Sequence, residues 1–253
     1  MILPVGRSTG VCAILVWALL GAPVHGEQSV ARHAAAALPS LAPVVARVLP
    51  AVVAVTSTRR APEAEVTVNP ATGFPDPPLL QAISVAGSGV IVNADLGLIV
   101  TGNHVVEGAA DVTVTLSDGR RLDAIVAAAD KVDDLAVLRI AASGLVSVPL
   151  GDADSLQIGD FVLAIGHPLG GGRSATFGIV SALHGSCPGI GSTDLIVTDA
   201  LLERGNSGGP LINVRGELVG INVARNGRPD APGFGFAVPV DAVRALVLRA
   251  QTS

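Results

Sequence analysis

At 253 residues the chain can form one large domain or two small ones. Hydrophobic residues make up 49% and charged residues 15%, which excludes a disordered chain and supplies an ample core. The net charge of −5, with no basic cluster, argues against nucleic acid as a partner.

Residues 1–26 read as a signal peptide. Arg7 supplies a short positive region, Val11 to Leu20 are uniformly apolar, and Val24 and Gly26 offer small-residue positions before a cleavage point. The run is well short of the ~20 residues a spanning helix needs, so cleavage is expected over retention as an anchor. The mature protein is therefore expected in the periplasm or secreted, with no integral membrane anchor. Loss of Arg7 and of no acid takes the net charge to −6. Cys12 leaves as well, so Cys187 has no partner for an internal disulfide.

The remainder, 27–253, is expected to be a single domain built of short strands, a reading favoured by 30 glycines and 17 prolines. After Pro39, Leu41, Val44, Val45 and Val48 fall on helical spacing, with Ser40 as N-cap, and predict a short helix. A strand follows over 51–58, then a proline-rich surface loop over 60–82. Strands are predicted at 84–92, 97–101, 111–116, 121–128, 135–140, 161–165, 175–182, 194–198, 210–214, 218–223 and 234–238. A helix over 240–250 closes the chain. Regular short strands without alternating helices fit two small barrels or sandwiches, divided near residue 150.

The strongest local signal is Gly205-Asn206-Ser207-Gly208-Gly209-Pro210. Glycines let the backbone turn sharply around an exposed serine hydroxyl and let neighbouring N–H groups converge on an oxyanion. A glycine-rich hairpin with an ordinary serine would look the same over these six residues. A serine nucleophile needs a base. Of the mature histidines, His33 lies in the N-terminal tract, and His167 and His184 lie in predicted loops without a useful acidic neighbour. His104 follows an apolar strand. Asp134 opens the buried run 134–140 and is the expected orienting carboxylate, with Asp133 and Asp130 as solvent-facing competitors.

The order His104, Asp134, Ser207 is that of chymotrypsin-like proteases. The segments SLAPVVARVLPAVV (40–53), GSGVIVNADLGLIVTGNHVV (87–106), DLAVLRI (134–140), LGDADSLQIGDFVLAIGHPLG (150–170), GIVSAL (178–183), TDALLERGNSGGPLIN (198–213), GELVGIN (216–222) and GFGFAVPVD (233–241) resemble, in order, the protease domain of the HtrA (DegP-like) family. That resemblance implies an all-β fold, a chymotrypsin-like double β-barrel with short N-terminal and C-terminal helices. The barrels would occupy about 40–150 and 151–248, perpendicular and six-stranded, with the triad in the cleft between them. It also implies a serine endopeptidase acting on unfolded or misfolded exported proteins. His104, Asp134 and Ser207 would be catalytic, and Gly205, Asn206 and Ser207 would form the oxyanion hole. Leu201, Leu202, Ile221, Asn222 and Val223 would line the substrate pocket. Family members form trimers, so a homotrimer is one expected assembly.

Three features depart from the family. Leu201-Leu202-Glu203-Arg204 replaces an Ala-Ile-Asn-type stretch, so Glu203 bears on the resting state of the 201–206 loop. Gly102 stands where a polar residue is usual. The sequence ends soon after the last predicted helix, so no PDZ domain is expected. Gly166–Ser174 lacks the lysine of a phosphate loop, and Asp152, Asp154 and Asp160 miss calcium-loop spacing. His104 and Glu107 do not form a paired-histidine zinc motif. No cofactor or metal is implied. A catalytically silent peptide-binding relative and an acyl hydrolase on an α/β sheet are the competing readings. The intact triad opposes the first, and the order of residues opposes the second.

Overall fold

The computed structural model describes residues 40–60, 82–167, 172–187, 190–203, 205–225 and 233–252. The signal segment, His33 and nearly all of the predicted 60–82 loop lie outside the described residues.

The chain enters through α1 (Ala42–Val48), with a proline in its first turn, where the missing N–H costs no helical bond. Its cap is Leu41, whose carbonyl accepts the N–H groups of Val44 and Val45 at 3.0 Å. The expected cap, Ser40, lies one residue upstream. A 3-10 turn over Leu49–Ala51 leads into the first barrel.

That barrel holds β1 (Val52–Arg60), β2 (Ala82–Asn93), β3 (Leu98–Gly102), β4 (Asp111–Thr115), β5 (Arg121–Asp123), β6 (Ile125–Asp130) and β7 (Leu135–Arg139). Their order is β5-β4-β1-β2-β3-β7-β6, all antiparallel. The two outermost strands are consecutive in sequence and joined by Ala124 alone, whose N–H donates to Val112 O at 2.9 Å. The predicted strand 121–128 is thus one bent element whose halves pair with opposite ends of the sheet. Counted as one, it makes a six-stranded ring.

The second barrel is closed, in the order β10-β13-β12-β11-β8-β9. Its strands are β8 (Phe161–Gly166), β9 (Ser174–Gly185), β10 (Leu195–Thr198), β11 (Pro210–Asn213), β12 (Leu218–Arg225) and β13 (Gly235–Pro239). Helix α3 (Val240–Gln251) follows and buries Val240, Val243, Leu246, Val247 and Ala250. Its far end lies on the first barrel, where Arg139 Nη2 donates to Ala250 O at 2.6 Å.

Burial explains the patterning. β3 is buried at all five positions and opens on the apolar run Leu98–Val100, whereas β4 alternates and reads with period two. Leu98, Ile99, Leu135 and Leu138 are among the largest fully buried side chains. Each contributes about 1.5–3 kcal/mol relative to exposure. The strands that flank His104 and Asp134, β3 and β7, are therefore firmly anchored in the core.

Candidate active site

The first barrel contributes a histidine and an aspartate. β3 ends at Gly102, and the chain turns into the four-residue helix α2 (Asn103–Val106). So short a helix cannot sustain itself. β1 supports it from outside: Ser57 Oγ donates to Val105 O at 2.5 Å, and Arg59 Nη2 donates to the His104 carbonyl. Residues 57 and 59 share a strand face, so two successive helix carbonyls meet two successive donors.

Asp134, immediately before β7, reaches the same helix. Its Oδ1 accepts the His104 N–H at 2.8 Å, and its Oδ2 bonds Nδ1 of the ring at 2.6 Å. The Asp134 carbonyl also accepts the Asn103 N–H at 2.9 Å. One residue thus ties down both backbone and ring. The His104 side chain is 44% exposed and that of Asp134 15%, so the ring reaches solvent over a sheltered carboxylate. With Nδ1–H donated to Asp134, Nε2 is the nitrogen that can accept a proton. A Cβ at Gly102 would stand 2.9 Å from the ring's Cε1, so the imidazole uses space a larger residue would fill.

The competing acids do other work. Asp130 is not solvent-facing as expected: its Oδ2 bonds Arg249 Nη2 at 2.8 Å, and its Oδ1 accepts the Val132 N–H at 3.0 Å. The Arg249 guanidinium holds the Asp130 carboxyl below its ordinary value. Asp133 donates its N–H to Asp130.

The second barrel supplies Ser207 on the loop before β11. The Asn206 N–H donates to Glu203 O at 3.0 Å, closing a four-residue turn whose third residue, Gly205, has φ +102°. Glycine adopts that positive φ without strain. Asn206 O accepts the Gly209 N–H at 2.9 Å, and the Gly208 N–H donates to Asn222 O at 2.7 Å. Among the described residues, the N–H groups of Gly205 and Ser207 have no acceptor. Of the three residues expected in the oxyanion hole, Asn206 therefore differs, because its N–H is occupied by the turn.

The two barrels bring these parts together. Ser207 O accepts the Ser88 N–H of β2 at 2.8 Å. Gly208, at φ +82°, lies so close to the first barrel that a Cβ would stand 2.3 Å from Ser88 O and 2.7 Å from Gly102 N. Ser207 and His104 thus sit on segments in direct contact, each one or two residues from the touching point.

The expected pocket residues separate. Leu201 is 54% exposed, and Thr176 Oγ1 donates to its carbonyl at 2.8 Å. Leu202 is instead buried in the core of the second barrel, beside Gly235. Ile221, Asn222 and Val223 are buried on β12. Glu203 is exposed. His184, read as lacking an acidic neighbour, pairs through Nδ1 with Asp194 at 2.6 Å. A cavity of about 320 Å³ lined in part by Asp133, Asp154, His184 and Asp194 lies beside that pair and includes none of His104, Asp134 or Ser207.

Two antiparallel barrels, one carrying a histidine–aspartate pair and the other a glycine-flanked serine on a loop that touches the first, are the architecture of the double-barrel peptidases. The model of the trypsin-like peptidase domain matches residues 87–221, and the chain belongs to that family. It is 42% identical over 219 residues to the periplasmic pH-dependent serine endoprotease DegQ of Escherichia coli, covering 83% of this chain and 48% of that protein. It is 46% identical over 179 residues to the putative serine protease HhoA of Synechocystis, covering 68% and 45%. The solved HtrA-type protease AlgW with tripeptide superposes with a TM-score of 0.69 at 36% identity, covering 83% of this chain and 63% of that one. The chain thus spans about half the length of the curated relatives it matches. Among the described residues no helix is long and apolar enough to cross a membrane.

Proposed function

We propose that the protein is an exported serine endopeptidase that cuts unfolded polypeptides, with Ser207 as nucleophile, His104 as base and Asp134 as its orienting carboxylate. The observation that carries this reading is the pair of bonds from Asp134 to the backbone and Nδ1 of His104, beside a serine loop whose Gly205 and Ser207 N–H groups have no acceptor among the described residues.

Ser207 Oγ would bond the peptide carbonyl carbon while its proton passes to His104 Nε2 and the carbonyl electron pair moves onto oxygen. The resulting imidazolium is stabilised by Asp134, and the oxyanion by the N–H groups of Gly205 and Ser207. Collapse breaks the C–N bond, His104 returns the proton to the leaving amine, and water then hydrolyses the acyl-enzyme by the same steps. The free N–H pair speaks for an active protein over a silent peptide binder. The unfolded-substrate assignment draws on the resemblance to DegQ and its kin.

Ser207→Ala tests the proposal. Cleavage of casein should fall to background while the melting temperature stays within about 2 °C, because the hydroxyl has no hydrogen-bond partner among the described residues. Retained cleavage in that variant would remove Ser207 from the mechanism.

A further inference from the structure

Ser88 lies on β2 with none of its surface exposed, and all its polar groups are engaged. Its hydroxyl donates to Gly205 O at 2.5 Å and accepts the His167 N–H at 2.7 Å. Its own N–H donates to Ser207 O at 2.8 Å, and its carbonyl accepts Thr101 Oγ1 at 2.7 Å. The N–H groups of Gly205 and Ser207 each lack an acceptor among the described residues, and the carbonyls of both are held by Ser88.

We infer that Ser88 is a positioning residue for the oxyanion-binding loop, acting across the barrel interface through its hydroxyl. This inference rests on the peptidase reading above. A peptide unit is rigid, so a fixed carbonyl fixes the plane that leaves its residue. The Gly205–Asn206 plane is gripped from both sides, by Ser88 Oγ at its oxygen and by Glu203 O at its N–H. The Ser207–Gly208 plane is gripped likewise, by the Ser88 N–H and Asn222 O. Between these two held planes lies the N–H of Ser207, and the Gly205 N–H precedes the first. The bond from Thr101 adds the strand that leads to His104, through the pairing of Gly89 with Thr101. Ser88 therefore sets nucleophile loop and base in one frame, from the barrel that does not carry the nucleophile.

Removing the hydroxyl leaves Gly205 O and the His167 N–H without their partner and lets the first plane swing. Since one oxyanion donor is typically worth 10²–10³ in rate, a loosened donor should cost roughly 10- to 100-fold. The test compares wild type with Ser88→Ala and with Ser88→Cys, which keeps the shape but has a weak donor. The readouts are kcat and KM on a peptide substrate, the inhibition constant of a peptide boronic acid, and the melting temperature. Both variants should lose kcat by roughly 10- to 100-fold with KM within about twofold. Boronate affinity, which requires the tetrahedral oxyanion site, should fall in parallel. A kcat within twofold of wild type in either folded variant, or a fall in kcat with boronate affinity unchanged, would overturn the inference alone. A wild type that neither turns over substrate nor binds the boronate would overturn the peptidase reading as well.

Discussion

Of the five residues expected to line a substrate pocket, Leu201 is the exposed one, and Leu202, Ile221, Asn222 and Val223 are buried. In double-barrel peptidases the residue six before the nucleophile largely sets the floor of the pocket for the residue preceding the cut, and here that is Leu201. A floor that accepts Arg or Lys needs a carboxylate, since an unpaired buried cation is costly. Leucine offers none, and Glu203 is turned to solvent. Peptides from a digested unfolded protein should therefore end mainly in Val, Ala or Ile when sequenced by mass spectrometry. Termini dominated by Arg or Lys would show that Leu201 does not form the floor. That Leu201 and Leu202 part company was not legible in the sequence. Both are leucines on a loop, and packing in the core of the second barrel, beside Gly235, takes Leu202 alone inward. The Ser88 network was equally hidden, because a serine between two glycines reads as an ordinary strand residue.

Helix α3 shows how an element far from the site keeps its parts in place. It follows the second barrel yet ends on the first, where Arg139 bonds Ala250 O and Arg249 bonds Asp130 at the turn leading to Asp134. Asp130 is held below its ordinary value of 3.8, chiefly by its bond to Arg249. A carboxylate whose folded pKa is depressed contributes stability at pH values above its unfolded pKa, and that stability is lost as the pH falls through the folded value. Asp130→Asn should therefore lower stability by about 1 kcal/mol at pH 7, and the gap to wild type should close below about pH 4. Melting curves across pH 3–8 measure both, and an undiminished gap at pH 3 would show that the ion pair is not its source. The helix itself was expected over 240–250 and is found over Val240–Gln251. Its landing place was not legible, because Asp130 and Arg249 are 119 residues apart and nothing local marks them as partners.

At the scale of the molecule, short buried strands were readable because β3 and β7 open on apolar runs, whereas the double barrel came from the family resemblance, since the strand pattern alone also fits sandwiches. The bend that closes the first barrel was missed. Ala124 carries no turn signal, and the break there follows from pairing β5 and β6 with opposite ends of one sheet. α2 was missed as well, since four residues are too few for periodicity to register. The proposed site draws on both barrels: His104 and Asp134 lie on one, and Ser207 lies on a loop of the other whose carbonyl accepts the Ser88 N–H at 2.8 Å. The most direct measurement is the mass of the adduct formed with a fluorophosphonate, mapped by peptide sequencing in wild type and in His104→Ala. A single adduct on Ser207, lost when His104 is replaced, is the result this arrangement predicts. An adduct on a different serine, or labelling of Ser207 undiminished in His104→Ala, would contradict it.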